Sequence, residues 1–294
     1  MAAKRVHVVG ASGRSGAALC RALLGAGRRV VPVVRDAGSW AATGLHASPR
    51  FAELGDPDAL GAALGDAAVV VSCAHARHAA RILAAAPAGA RFVLLGSTRR
   101  FTRWPDAHAE GVIEGEAAFL ASGRRGVMLH PTMIYGAEGE DNVRRLAVLL
   151  RRLPIVPLPG GGSALVQPIH QDDVTRAILA AIDHPWEASR TLVIAGPAPL
   201  PYAGFVRAVA AAAGLAPPRI VAVPGRVLVA LAPLLGQLPF LPRVRAAEVR
   251  RLLEDKAFDI APMRALLGVT PIPLADGLAR TFGGPHNGTA NSGA

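Results

Sequence analysis

Residues 6–16 read Val-His-Val-Val-Gly-Ala-Ser-Gly-Arg-Ser-Gly, and this stretch limits the fold more than any other. Val6, Val8 and Val9 form a short β-branched apolar run of the kind a buried parallel strand carries. Glycines follow at 10, 13 and 16, and Ala17, Ala18, Leu19, Leu23 and Leu24 then recur at helical spacing. A strand, a tight glycine turn and a helix start bring free backbone N–H groups and the positive end of a helix dipole to one point. Such a point binds an anion, most often the pyrophosphate of a dinucleotide. Gly10 turns the chain, Gly13 admits the phosphates, and Gly16 lets the helix lie against the strand. Ser12, Arg14 and Ser15 share the loop and join these glycines as candidate cofactor contacts.

Further strand-like runs lie at 29–34, 50–54, 67–73, 91–95 and 126–129. Helical stretches at 58–64, 75–86 and 110–121 separate the later ones. This alternation with short turns specifies an α/β, Rossmann-type doubly wound parallel sheet. The second strand ends at Arg35-Asp36, where such a sheet meets the adenosine ribose. Arg35 and Arg14 suit the 2′-phosphate of NADP, whereas Asp36 suits the free ribose of NAD; the two guanidiniums favour NADP over NAD. Asp56 either caps the next helix or contacts the adenine. The end of the fourth strand, at Cys73 and Ala74, should face the cofactor.

With 294 residues, 51% of them hydrophobic, the chain can bury a large core. Cys20 and Cys73 lack metal-ligand spacing and read as buried thiols in a reducing cytoplasm. The net charge is +11, nearly all from arginine, since Lys4 and Lys256 are the only lysines. The arginine pairs are scattered with few aromatics among them, which argues against a nucleic-acid surface. Peripheral docking to an anionic membrane or an acidic complex stays open. Residues 1–5 lead straight into the first strand, so no secretory leader is expected and the cytoplasm is the expected compartment. The apolar stretch 221–241 is broken by Pro224, Arg226, Pro233 and Pro239, too often for a spanning helix. Residues 227–235 read as a substrate-lobe helix, with surface attachment as the alternative.

His130-Pro131-Thr132-Met133-Ile134-Tyr135-Gly136 follows the sixth strand, and Gln-Pro-Ile-His-Gln-Asp-Asp-Val occupies 167–174. Together with the glycine loop and Gly96-Ser97-Thr98, this ordered set resembles the extended or atypical short-chain dehydrogenase/reductases. The branch it looks most like is the NAD(P)-dependent epimerase/dehydratase-like one, over about residues 4–282. The resemblance implies an NAD(P)-binding Rossmann domain over 1–170. A smaller, mainly helical C-terminal substrate lobe would cover 171–282, with one strand near 191–195 returning to the main sheet. Helices are expected at 202–213, 226–235, 243–253 and 262–267, a flexible loop at 154–162, and a disordered tail at 283–294.

Relatives use a Ser/Thr, a Tyr and a Lys, with Tyr and Lys four apart on a helix. Ser97 or Thr98 matches the first. No lysine lies between Lys4 and Lys256, so the Tyr-x-x-x-Lys pair is absent. Registering the helix on Glu116 before Ser122-Gly123 puts His108 at the Tyr position and Val112 at the Lys position; a shifted register puts Glu110 and Glu114 there. His130 stands where relatives commonly carry Arg. Pro131 is assigned to the cofactor, and Tyr135 matches a tyrosine near the substrate pocket. The candidate catalytic residues are therefore Ser97, Thr98, Tyr135 and His108. Asp172 or Asp173 is expected to cap the helix over 174–182, in preference to forming a metal site with His170. The implied activity is NAD(P)-dependent oxidoreduction or epimerase-like chemistry on a small carbonyl or alcohol substrate, in a monomer or homodimer. The alternative is a non-catalytic NADP(H)-binding accessory subunit or redox-sensing regulator.

Overall fold

Strands that are apolar on both faces need helices on both faces. The computed structural model describes residues 5–136, 142–153, 155–228, 230 and 250–283, and it has that architecture. Seven strands form one parallel sheet: β1 (Val6–Val9), β2 (Val30–Val34), β3 (Arg50–Phe51), β4 (Val69–Ser72), β5 (Arg91–Leu95), β6 (Gly126–Pro131) and β7 (Ser189–Ile194). Their order is β3-β2-β1-β4-β5-β6-β7. The sheet is therefore the doubly wound one the alternation specifies. β7 joins the far edge, parallel to β6, with Ser189 opposite Gly126.

The helices among the described residues include α1 (Arg14–Gly25), α2 (Ala37–Ala41), α3 (Pro57–Leu64), α4 (Ala79–Ala85), α5 (Ala107–Ala121), α6 (Asn142–Arg152), α7 (Gln171–Asp183), α8 (Tyr202–Ala212), α9 (Ala261–Leu267) and α10 (Leu274–Gly283). The period-2 alternation sorts each strand between two cores. Val69, Val71, Val93, Val127 and Leu129 pack with Leu19 and Leu23 of α1, Val174 and Ile178 of α7, and Met263 of α9. Val70, Phe92, Leu94 and Met128 face the other way, onto Leu60, Ile82, Val112 and Phe119 of α3, α4 and α5. Each such side chain contributes about 1.5–3 kcal/mol when fully buried.

A third core gathers Tyr135, Val143, Leu150, Val156, Phe205, Val206 and Leu278 around α6, α8 and α10. It forms a lobe over the strand ends. Here the structure corrects several expectations. Residues 155–159 are a strand, not a loop: Ile155–Pro159 pairs in parallel with Arg219–Val223 as a two-stranded ribbon. Both members sit outside the main sheet, where prolines are tolerated because fewer backbone donors are needed. The stretch after β4 is a 3-10 turn, Ala76–His78, before α4 begins. α5 starts three residues early because Asp106 caps it, accepting from the Ala109 amide at 3.0 Å. α7 also starts early, at Gln171, capped by His170 instead of either aspartate. The expected helices over 226–235 and 243–253, and the tail 283–294, fall wholly or largely outside the described residues. No helix among the described residues is long and apolar enough to cross a membrane.

Candidate functional site

The sheet order reverses between β1 and β4. In open parallel sheets ligands bind at the carboxyl ends of the strands beside such a reversal. Two cavities open at those ends.

The smaller, about 410 Å³, is lined by Gly10 and Ser12 after β1, Arg35, Asp36 and Ser39 after β2, and residues 52–55 after β3. Beside it lies the glycine turn. Gly10 has φ +73°, a left-handed conformation that a side chain would strain. A Cβ on Gly16 would fall 2.2 Å from the Gly10 oxygen, so that glycine permits α1 to touch the turn. Gly13 differs: a Cβ there would meet only the Gly10 oxygen, at 3.3 Å. Gly13 is also the N-cap of α1 and supplies no side-chain cap. No side chain at Gly13 stands in front of the first turn of α1, and the loop fits a pyrophosphate.

The other predicted cofactor contacts divide. Arg35 is exposed at the cavity wall, its Nε 4.0 Å from Asp36. The Asp36 carboxylate is committed elsewhere: it caps α2 by accepting from the Ser39 amide and from the Ser39 hydroxyl, each at 2.8 Å. Those hydrogen bonds, chiefly, hold its pKa below the usual carboxylate range. Asp56 is likewise a cap, accepting from the amides of Asp58 and Ala59, and the cavity there is lined by Leu54 and Gly55. Ser15 donates from its hydroxyl to Gln171 Oε1 at 3.0 Å, leaving only its backbone for a phosphate. Arg14 is exposed at the helix start. Cys73 and Ala74 lie against Gly10 at the crossover rather than on the cavity wall: the Cys73 amide donates to the Val9 carbonyl, and the Ala74 amide nitrogen is 3.0 Å from where a Gly10 Cβ would sit. Burial raises the Cys73 thiol pKa and pushes Cys20 up to about 12, so neither is a thiolate near neutrality. His78 and Arg81 line the same cavity from the α4 side, and no sequence motif pointed to them.

The larger cavity, about 730 Å³, lies over the ends of β5 and β6 and under the lobe. Ser97 and Thr98 line it. The Ser97 hydroxyl accepts from the Arg99 amide at 3.2 Å and makes no donor bond to any described residue, so its proton is available to the cavity. Thr98 is occupied, donating to the Pro131 carbonyl at 3.2 Å; that is how buried Pro131 meets the site. Tyr135 is 1% exposed. A Cβ on Gly277 of α10 would lie 2.2 Å from the Tyr135 hydroxyl oxygen, so the phenol end is packed against that helix. Burial, then Asp173, raises its pKa. It serves the wall and the lobe core, and it is a poor proton donor in this position.

His108 does not line this cavity. It sits in the first turn of α5, its Nδ1 3.0 Å from His75 Nε2. The His75 Nδ1 accepts from the Arg77 amide and guanidinium, so the His75 proton sits on Nε2 and donates to His108. Burial, then His108 and Arg77, lowers His75 to about 4, and burial with Arg99 lowers His108. Both rings are neutral at pH 7.

Folding also builds a unit that the sequence left as separate residues. The Ser97 amide donates to His130 Nδ1 at 3.1 Å. His130 Nε2 lies 2.9 Å, and Arg100 Nε 2.7 Å, from the same Glu116 oxygen. These two contacts miss hydrogen-bond angles and act through charge and dipole. Burial lowers the His130 pKa and raises that of Glu116. His130 therefore stands behind the Ser97 turn, and Glu116 is its buried neighbour.

No protein-family model matches the sequence, and no curated protein matches it. Solved structures do. The chain is similar to an NADPH-dependent quinone oxidoreductase from Escherichia coli complexed with NADPH, at 18% identity and TM-score 0.74, over 94% of this chain and 99% of that one. It is similar to a UDP-glucuronic acid 4-epimerase from Bacillus cereus in complex with UDP-glucuronic acid and NAD, at 16% identity and TM-score 0.70, over 95% and 98%. A short-chain dehydrogenase/reductase superfamily protein from Agrobacterium tumefaciens with bound NAD aligns at 18% identity and TM-score 0.70, over 95% of both chains. What is shared is the fold. The likeness runs through the lobe as well as the sheet.

Proposed function

We propose that this chain binds NADP(H) and acts as an oxidoreductase on a small carbonyl or alcohol substrate held in the larger cavity. The observation that carries the reading is the open Gly13 face at an uncapped helix start, beside a cavity whose wall carries Arg35. The N–H groups of α1 would hold the pyrophosphate, and Leu54 and Gly55 would flank the adenine. Arg35 would pair with a 2′-phosphate. Asp36, the residue that argued for NAD, is spent on capping α2 and does not present a free carboxylate to a ribose. A nicotinamide, when bound, supplies or accepts the hydride. Similar solved structures hold NADPH or NAD, which supports the cofactor class.

At the reacting end, the Ser97 hydroxyl is the group with a proton to present to a carbonyl oxygen. His130 fixes the Ser97 backbone through the amide, and the Arg99 amide fixes its hydroxyl lone pair. Thr98 ties this turn to β6. With no Tyr-x-x-x-Lys pair in the chain, Ser97 polarises the substrate and the proton comes from water through the open cavity.

Calorimetry with NADP+ and NAD+ tests the cofactor, and NADPH oxidation with quinones, aldehydes and enones tests the reaction. NADP+ should bind about tenfold more tightly than NAD+, and Arg35→Ala should erase most of that difference. Equal binding of the two cofactors overturns the NADP assignment. Tight NADP+ binding with no turnover on any class overturns the enzyme.

A further inference from the structure

The turn after β5 is tied to β6 by three successive contacts. The Gly96 amide donates to the Leu129 carbonyl at 2.7 Å, the Ser97 amide to His130 Nδ1 at 3.1 Å, and the Thr98 hydroxyl to the Pro131 carbonyl at 3.2 Å. The outer two end on backbone carbonyls, which always accept. The middle one ends on an imidazole nitrogen, which accepts only while it carries no proton. It is also the tie at Ser97, whose side chain faces the larger cavity. Gly96 makes room for it, since a Cβ there would collide with Nδ1 and Cε1 of the His130 ring.

The neutral ring has two tautomers, and its surroundings distinguish them. With the proton on Nε2, Nδ1 is open to the Ser97 N–H and the Nε2–H dipole faces Glu116 Oε2 at 2.9 Å. With the proton on Nδ1, two N–H groups oppose each other at Ser97, and a lone pair faces the carboxylate at Glu116. Both ends of the ring therefore favour the first form. His130 is 1% and Glu116 6% exposed, so water screens little of this. Arg100 Nε lies 2.7 Å from the same Glu116 oxygen and holds it in place, and the Phe101 ring stands edge-on to His130 with centroids 6.4 Å apart. The serine is met at its amide, and its hydroxyl accepts from the Arg99 amide. The three residues therefore position a hydroxyl and do not build a nucleophile.

We propose that Glu116 is a positioning residue: it holds His130 in the Nε2–H tautomer, which keeps Nδ1 open to the Ser97 amide and so places the Ser97 hydroxyl at the substrate carbonyl. This inference rests on the reading of Ser97 as the group that polarises the substrate.

The test pairs kinetics with nitrogen NMR. Glu116→Leu removes the acceptor at similar size, and Glu116→Gln restores an oxygen that both Arg100 Nε and His130 Nε2 reach. With whichever acceptor NADPH reduces, Glu116→Leu should lower kcat about tenfold with KM within about twofold, and Glu116→Gln should recover most of the loss. In a Ser97→Ala background Glu116→Leu should cost nothing further, because Glu116 acts through Ser97. An unchanged kcat in Glu116→Leu, or the same loss without the Ser97 hydroxyl, overturns the proposal. NMR of 15N-labelled protein reads the ring without turnover. His130 should show a protonated Nε2 and an unprotonated Nδ1 coupled through the hydrogen bond to the Ser97 amide nitrogen; Glu116→Leu should mix the tautomers and weaken the coupling. A proton on Nδ1 in the unaltered protein, or an unchanged tautomer in Glu116→Leu, also overturns it. If Glu116→Leu does not fold, Glu116→Asp, which draws the carboxylate back by one carbon, carries the same readouts. If no acceptor is reduced, the functional reading fails, and the ring spectra still decide whether Glu116 sets the tautomer.

Discussion

The two cavities are built by different means. The smaller one rests on backbone: a glycine turn, the uncapped start of α1, and the tips of β2 and β3. Its parts lie within the first third of the chain. The larger one rests on side chains far apart in sequence. Glu254 holds Thr102 and Arg103 across 152 and 151 residues, Arg251 reaches Asp106 across 145, and the Phe258 amide donates to Gln167 across 91. A phosphate can be held by backbone alone, so its site is written in glycines. A substrate must be distinguished from others by shape and charge, so its site depends on residues that meet only after folding.

The contrast is sharpest within the glycine turn itself. Gly16→Ala places a Cβ 2.2 Å from the Gly10 oxygen and 2.9 Å from Ala11 Cα, and it should cost about 3 kcal/mol in urea unfolding. Gly13→Val should leave stability nearly unchanged yet lower NADP+ affinity about 100-fold in calorimetry, since its side chain fills the phosphate approach. If the two variants behave alike, Gly13 does not face the ligand.

The next test acts on the larger cavity. Glu254→Ala removes the acceptor for the Thr102 hydroxyl and the Arg103 amide in a buried position. It should cost about 2 kcal/mol and leave NADP+ affinity within about twofold. A loss of NADP+ affinity comparable to that of Gly13→Val would show that the two cavities are not built independently.

The last test concerns acid. His75 is lowered to about 4 in the folded chain against 6.5 unfolded. Its neutral form is the one the fold favours, so its contribution is complete above pH 6.5 and is lost as pH falls towards 4, where the unfolded chain takes up the proton first. About 2 kcal/mol should disappear over that window, allowing for partial exposure. His75→Asn should flatten this part of the stability profile. An unchanged slope would assign the acid sensitivity to His130 and other buried histidines.

The sheet was legible because its signal is local. Valine runs, glycine spacing and short turns define strands and helices within windows of about ten residues, and the main strands lie where those patterns put them. The ribbon Ile155–Pro159 with Arg219–Val223 was hidden, because each half is proline-marked or isolated and acquires strand character only from a partner more than sixty positions away. Asp36 shows the same limit at one residue. Its place at the end of β2 was readable, but its use as a cap depends on how Ser39 is turned.

By itself, the sequence determined the doubly wound sheet, the glycine turn at the start of α1 and the absence of a Tyr-x-x-x-Lys pair, since each is a matter of residue identity and short-range spacing. Tertiary structure decided the rest. It turned the Tyr135 phenol into the lobe, set His108 against His75 away from the larger cavity, and gathered Arg99, Arg251 and Asp106 on one side of it. Those outcomes depend on burial and on contacts between distant segments, and the field at any one group is the sum over neighbours that only the folded chain supplies.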